Sequence, residues 1–241
     1  HLNLPKTQQD LAKAIKAAGK PTILVLMNGS AVAVNWENEN LDAILTAGYP
    51  GQEGGNAVAD VLFGDFNPAG RLPVTYYKSV DQLPAFENYD MEGRTYKYFK
   101  GEPLYSFGYG LSYTTFKYSD MKLAKKAKVG EKVLVSVKVS NTGKKAGEEV
   151  VQLYIKDEEA STPRPKVQLE GFKRIHLNAG ESKIVDFELT PRQFSMIGEN
   201  DKRVIENGWF TIYTGGGQPG AKNANAVSAR IELTGKNMEI E

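Results

Sequence analysis

The sequence predicts an α/β segment followed by an all-β sandwich, and three observations carry that reading. Up to about residue 116, strand-like apolar runs alternate with stretches of helical spacing. Beyond residue 120, period-two alternation takes over and continues almost to the end. Between them, residues 71–115 lose any regular period and become rich in Tyr, Phe, Gly and Pro.

The elements follow in order. Thr7 is placed to cap a helix, with Asp10 three residues on, and Leu11, Ala14, Ile15 and Ala18 share one face. Gly19 and Pro21 end it. Thr22–Met27 is apolar without alternation, which predicts a parallel strand covered on both faces. Asn28-Gly29-Ser30 breaks that strand. Leu41–Leu45 reads as a short amphipathic helix, Ala47–Tyr49 as a further short strand, and Glu53–Phe63 as a helix with Val58, Val61 and Leu62 inward. Two or three parallel strands with these helices cannot cover both faces and both edges of a sheet, so the rest of the sheet is expected to precede this chain. An aromatic stretch as long as 76–117 is expected to be ordered and wrapped over the α/β domain and docked onto the next one. The expected domains are therefore 1–75, the linker 76–117, and a sandwich from 118 to 241.

In that last part, inward sets recur: Val133, Val135, Val137 and Val139; Val151, Leu153 and Ile155; Val185, Phe187 and Leu189; Phe210 and Ile212; Val227, Ala229, Ile231 and Leu233. Turns are predicted at Asn141–Gly143, Asn178–Gly180, Asn207-Gly208 and Gly215–Gly217. About seven short strands in ~120 residues match an immunoglobulin-like sandwich. The absence of cysteine favours the fibronectin-III type and excludes disulfides and thiolate metal sites.

Composition narrows function further. Thirty basic against 29 acidic residues leave almost no net charge, which argues against nucleic acid or an anionic membrane as the main partner while leaving a local basic patch open. No apolar run approaches the ~20 residues of a membrane span. With only His1 and His176, a histidine-rich metal site is also excluded. His1–Pro5 lacks the basic and apolar regions of a signal peptide and reads as an internal start.

Three segments together resemble family 3 glycoside hydrolases. They are Gly48-Tyr49-Pro50-Gly51-Gln52-Glu53-Gly54-Gly55, the run from Ala59 to Pro73, and Phe107-Gly108-Tyr109-Gly110-Leu111-Ser112-Tyr113-Thr114-Thr115-Phe116. The resemblance implies a β/α barrel, an α/β sandwich and a fibronectin-III-like domain in one protein. It implies hydrolysis of terminal β-linked glucose or xylose with retention, by a nucleophile and an acid/base ~5 Å apart. Both carboxylates are expected upstream of His1, so the catalytic set in this chain is expected to be empty. The runs Leu26–Trp36 and Gly93–Phe99 look more like the xylosidase members. A periplasmic or secreted location is the family's implication.

Candidate sugar-contacting residues are Asn28 and Ser30, because ligand sites of α/β sheets gather after the strands, and Glu92, Arg94 and Tyr96. Arg94 and Tyr96 suit a sugar through hydroxyl hydrogen bonds and stacking; the competing reading packs them between domains. Glu53 fits either a cleft carboxylate or a helix N-terminus favoured by the dipole. Glu37, Glu39 and Asp42 read as a solvated surface. Trp209 and Tyr213 lie on the face opposite Phe210 and Ile212, which keeps open a second function: a non-catalytic carbohydrate-binding or structural module.

Overall fold

The computed structural model describes residues 2–198 and 200–241; His1, the first residue of the expected α/β segment, lies outside them. The chain forms two compact units. One holds the residues up to Phe66 together with Pro73–Phe107; the other holds Asn67–Leu72 and Gly108–Glu241.

The first unit contains α1 (Lys6–Ala17), β1 (Ile23–Leu26), α2 (Asn35–Asn40), β2 (Ala43–Thr46), α3 (Gly54–Phe63) and a single turn, α4 (Thr95–Tyr98). β1 and β2 pair in parallel from Ile23 opposite Ala43 to Leu26 opposite Thr46. Four expectations need correction. The Thr7 cap does not form: Pro5 is the N-cap, its carbonyl accepts from the amides of Gln8 and Gln9, and Asp10 pairs with Lys6 at 2.5 Å. Proline's fixed φ already suits a helix start.

Residues 41–45 are not helical. The helix lies earlier, at α2, and Ala43–Thr46 are a strand. Asp42 donates its amide to Thr22 and Ala47 to Leu26, so the bonding groups of β1 override a weak local helical pattern. Ala47–Tyr49 is not a strand either, because Gly48 at φ +63 turns the chain away immediately after Ala47. Finally, β1 is not covered on both faces. Leu26 is buried, but Ile23 and Met27 are 45% and 70% exposed, since one strand and these helices cannot cover it. Leu11 and Ile15 of α1 are likewise exposed.

Segment 73–107 folds back on itself. Tyr76 and Tyr105 exchange backbone hydrogen bonds, with their rings 6.0 Å apart. Tyr77 meets Phe99 edge-on at 5.0 Å, and Tyr96 stacks on Phe107 at 4.1 Å. Such pairs add to burial and hold an otherwise irregular chain.

The second unit is a two-sheet sandwich with a small third sheet. Its strands are β3 (Phe116–Leu123), β4 (Lys126–Lys128), β5 (Val133–Asn141), β6 (Gly147–Asp157), β7 (Gln168–Leu177), β8 (Ser182–Leu189), β9 (Met196–Ile197), β10 (Arg203–Ile205), β11 (Gly208–Gly215), β12 (Val227–Thr234) and β13 (Met238–Ile240). One sheet has the order β3-β5-β8, the other β4-β12-β11-β6-β7, and the third β13-β10-β9. Val133, Val135, Val137 and Val139 are all buried and face Val151, Leu153, Ile155, Phe210, Ile212 and Ile231 in one core. Ala229 apart, the period-two sets predicted from sequence line or pack against this core, because each strand has one face to bury.

The Asn178–Gly180 turn joins β7 to β8, with Gly180 at φ +77 and open space where a Cβ would stand. Gly180→Ala is therefore expected to cost only the left-handed backbone strain, about 1 kcal/mol. Urea denaturation checks this; a neutral effect would mean the turn relaxes freely.

Candidate functional site

The sequence-predicted site residues all lie in the first unit, around two consecutive tyrosines. Asn28 follows β1, where parallel strands present ligands. Its Nδ2 donates to the Ser30 carbonyl at 2.5 Å and, at 3.4 Å, to the Tyr76 hydroxyl. Its Oδ1 is buried and accepts nothing. Ser30 is exposed beside it. Gly29 lets the Tyr49 ring lie against the turn, since a Cβ there would stand 2.4 Å from the Tyr49 hydroxyl oxygen.

The other three candidates surround α4. The Tyr77 hydroxyl accepts from the Thr95 amide at 2.8 Å, so Tyr76 and Tyr77 link to the Asn28 turn and to the Arg94 loop respectively. Burial pushes the Tyr77 phenol above its ordinary range. Arg94 does not reach outward. Its Nη2 donates to the carbonyls of Asn88 (2.5 Å) and Ala85 (3.1 Å), and its Nε donates to that of Asp90 (3.2 Å). Glu92 pairs with Lys100 at 2.8 Å on the surface, which lowers the Glu92 carboxyl and raises the Lys100 amine. Tyr96 is stacked on Phe107.

Two sets of residues escaped sequence reasoning. Glu37 on α2 is no part of a solvated surface: it is 0% exposed, and neither carboxylate oxygen has a partner. Nothing in its polar neighbourhood, Asn35-Trp36-Glu37-Asn38-Glu39, signals burial. Its neighbours anchor outward instead, with Asn35 donating to the Lys78 carbonyl and Tyr105 donating to Asn38. Glu39 is exposed, and Asp42 is held by Lys16 and the Thr22 amide, which depress its carboxyl.

In the second unit, the Arg71 guanidinium reaches Glu149 at 2.6 Å and donates to the carbonyls of Ala69, Gly70 and Gly216. The Tyr118 hydroxyl donates to the other Glu149 oxygen at 2.6 Å. Arg71 and Glu149 side chains are only 10% and 3% exposed, so this is a buried clasp. The available signal was Arg71 within a Gly-rich, Pro-flanked run, Pro68-Ala69-Gly70-Arg71-Leu72-Pro73.

Glu53 is the N-cap of α3 and accepts from Asn56, without a buried setting. Trp209 and Tyr213 are half-buried, and the Arg230 guanidinium lies 4.7 Å over the Trp209 ring. Among the described residues, no group of three or more His, Cys, Asp or Glu side chains is placed to hold a metal. No helix among them is long and apolar enough to cross a membrane.

A parallel α/β unit followed by a fibronectin-III-type sandwich is the architecture that family comparison assigns to the C-terminal part of a glycoside hydrolase. Residues 1–113 match the glycosyl hydrolase family 3 C-terminal domain, and residues 149–218 match the fibronectin type III-like domain. The chain belongs to glycosyl hydrolase family 3, as a C-terminal portion. It is 43% identical over 228 residues to a periplasmic beta-glucosidase of Salmonella typhimurium, covering 89% of this chain and 30% of that protein. It is 50% identical over 189 residues to a xylan 1,4-beta-xylosidase of Xylanibacter ruminicola, covering 78% of this chain and 22% of that one. The crystal structure of a beta-glucosidase from Listeria innocua in complex with glucose superposes with a TM-score of 0.85 at 33% identity, over 98% of this chain and 34% of that one. The chain thus spans under a third of the length of the Salmonella and Xylanibacter relatives.

Proposed function

We propose that this chain is the C-terminal portion of a retaining, exo-acting β-glycosidase that releases terminal β-linked glucose or xylose from oligosaccharides or polysaccharides. The observation that carries the reading is the match over most of this chain to β-glucosidases and a β-xylosidase of which it spans only 22–30%. The nucleophile and acid/base are then supplied by upstream sequence, including an N-terminal β/α barrel. The uncovered apolar side chains Leu11, Ile15, Ile23 and Met27 support further α/β structure beyond this segment. Two carboxyls suffice for this hydrolysis, so no metal or cofactor enters it. The periplasmic relative supports a periplasmic or secreted location.

In this reading Asn28, Ser30, Glu92, Arg94 and Tyr96 border the cleft. Ser30 presents its hydroxyl after β1 and Asn28 braces that turn through the Ser30 carbonyl, while Arg94 and Tyr96, committed to carbonyls and to Phe107, shape the rim.

The test compares the full-length native polypeptide with the 241-residue chain on aryl β-glucoside and β-xyloside. Activity is expected in the former and none in the latter. Hydrolysis by the short chain overturns the proposal, as does an inactive native product that begins at His1. Micromolar glycan binding by the sandwich alone would point instead to a binding module, although Arg230 already occupies one face of the Trp209 ring.

A further inference from the structure

Arg230 is exposed, and its guanidinium lies 4.7 Å over the Trp209 ring. Among the described residues it forms no hydrogen bond and no ion pair. A guanidinium held against an aromatic face gives up conformational freedom, yet its N–H donors stay available to a ligand. The strand register explains how it is held. Phe210 and Ile212 of β11 point into the core, so Trp209, Thr211 and Tyr213 stand on the outer face of the five-stranded sheet. There Thr211 lies opposite Arg230 of β12 on one side and Lys156 of β6 on the other. Thr211 is buried although it is on an outer face, which fits the apolar stems of those two long side chains lying over it.

The neighbouring acids do not answer the Arg230 charge. Glu158 is taken by Lys156 at 2.5 Å and by the Thr211 hydroxyl at 2.6 Å. Glu232, opposite Trp209, is taken by Lys126 at 2.6 Å. Arg230 is thus a pinned cation with an open fork, and a carboxylate is the group that accepts two parallel N–H bonds from such a fork. Polyphosphate fits less well, since Glu158 and Glu232 leave this face with little excess positive charge, and nucleic acid needs a run of cations. Tyr213, half-buried two residues along from Thr211, adds an apolar ring with a polar tip on the same face. A carboxylate receptor beside an aromatic ring suits an acidic sugar, whose C–H face lies on the ring while its carboxylate meets the fork.

Resting on the polysaccharide-directed function proposed above, we infer that Arg230, held by Trp209 and accompanied by Tyr213, is a binding site on the sandwich for a uronic acid residue of an acidic polysaccharide. Arg230 takes the carboxylate and Tyr213 the sugar ring. One such contact binds in the millimolar range, short of the micromolar affinity of a dedicated binding module. Repeated along a polymer, it gives the protein a hold on chains that carry acidic sugars.

The test runs the full-length native polypeptide in native gels that contain polygalacturonate, an uncharged β-linked glucan or poly-glutamate, at matched ionic strength. Retardation by polygalacturonate is expected to exceed that by the uncharged glucan about fivefold. Arg230→Lys keeps the charge but loses the two-pronged fork, and is expected to cut that retardation about fivefold at an unchanged thermal midpoint. Trp209→Leu removes the surface that holds the fork and is expected to act in the same direction; if it fails to fold, Arg230→Lys decides alone. Lys138→Ala, on the other sheet, is expected to change nothing. Equal retardation of the parent and Arg230→Lys, or as large an effect from Lys138→Ala, would show general attraction to a polyanion and overturns the site. Equal retardation by poly-glutamate, which carries carboxylates without sugar rings, overturns it as well. Hydrolysis of a β-glycoside without retardation by polygalacturonate overturns the site and leaves the hydrolase reading standing. A full-length protein inactive on every β-glycoside overturns that reading and, with it, the role given to the site.

Discussion

Arg71→Ala should lower the unfolding free energy of the sandwich unit by about 3–5 kcal/mol, the cost of leaving a buried ionic partner unpaired. Arg71 sets its positive charge against Glu149 at 2.6 Å, and it also satisfies the carbonyls of Ala69, Gly70 and Gly216. Without it, Glu149 keeps the Tyr118 hydroxyl and the Val150 amide, both neutral donors, and three carbonyls lose a donor. The fit is close on the other side as well. A Cβ at Gly110 would stand 2.2 Å from the Gly70 carbonyl oxygen and 3.0 Å from the Arg71 side chain, so no larger residue could fill in. Denaturation followed by Trp209 fluorescence in a Trp36→Phe background isolates this unit, since the chain has two tryptophans, one in each unit. A loss below about 1 kcal/mol would place the pair with weak surface bridges instead.

The same clasp has a pH signature. Burial raises the Glu149 carboxyl above its ordinary 4.5, while Arg71 and Tyr118 pull it back down. The folded state thus holds that proton more tightly than the unfolded state. The group's contribution is present at acid pH and declines as pH rises from about 4.5 through the raised value. Arg71→Ala removes the main downward pull, so the variant should lose stability more steeply than the parent as pH rises to neutrality.

Glu37→Met is expected to have the opposite sign. A carboxyl that is 0% exposed and has no hydrogen-bond donor carries a desolvation cost of about 1–3 kcal/mol that methionine, of similar length, does not. The first unit should gain about that much, read from Trp36 fluorescence in a Trp209→Phe background. A destabilised variant would mean that the carboxyl is satisfied by a bound water or cation and is part of a built polar site.

These two predictions also mark the limit of what could be read from sequence. Val133 to Val139, Phe210 with Ile212, and Ile231 with Leu233 were legible as core because strand burial has a period of two residues, and that period is written locally. The α3 helix was legible within a residue for the same kind of reason. In the first unit the local signal was weaker than the tertiary one. Ala43–Thr46 became a strand because β1 offered it backbone partners, and a helical pattern over a few residues could not compete.

The candidate site divides along the same line. Asn28 and Ser30 are candidates because they follow an apolar strand, and the Arg94 loop because of its residue types and the family resemblance. The work Arg94 does was not legible, since its partners are carbonyls, which every sequence has everywhere. By itself, the sequence determined the order of architectures, the sandwich core and the family. Only the tertiary structure decided that Glu37 is buried and that Arg71 meets Glu149 across 78 positions. Burial of a charged residue depends on which distant segments pack over it, and no local period records that.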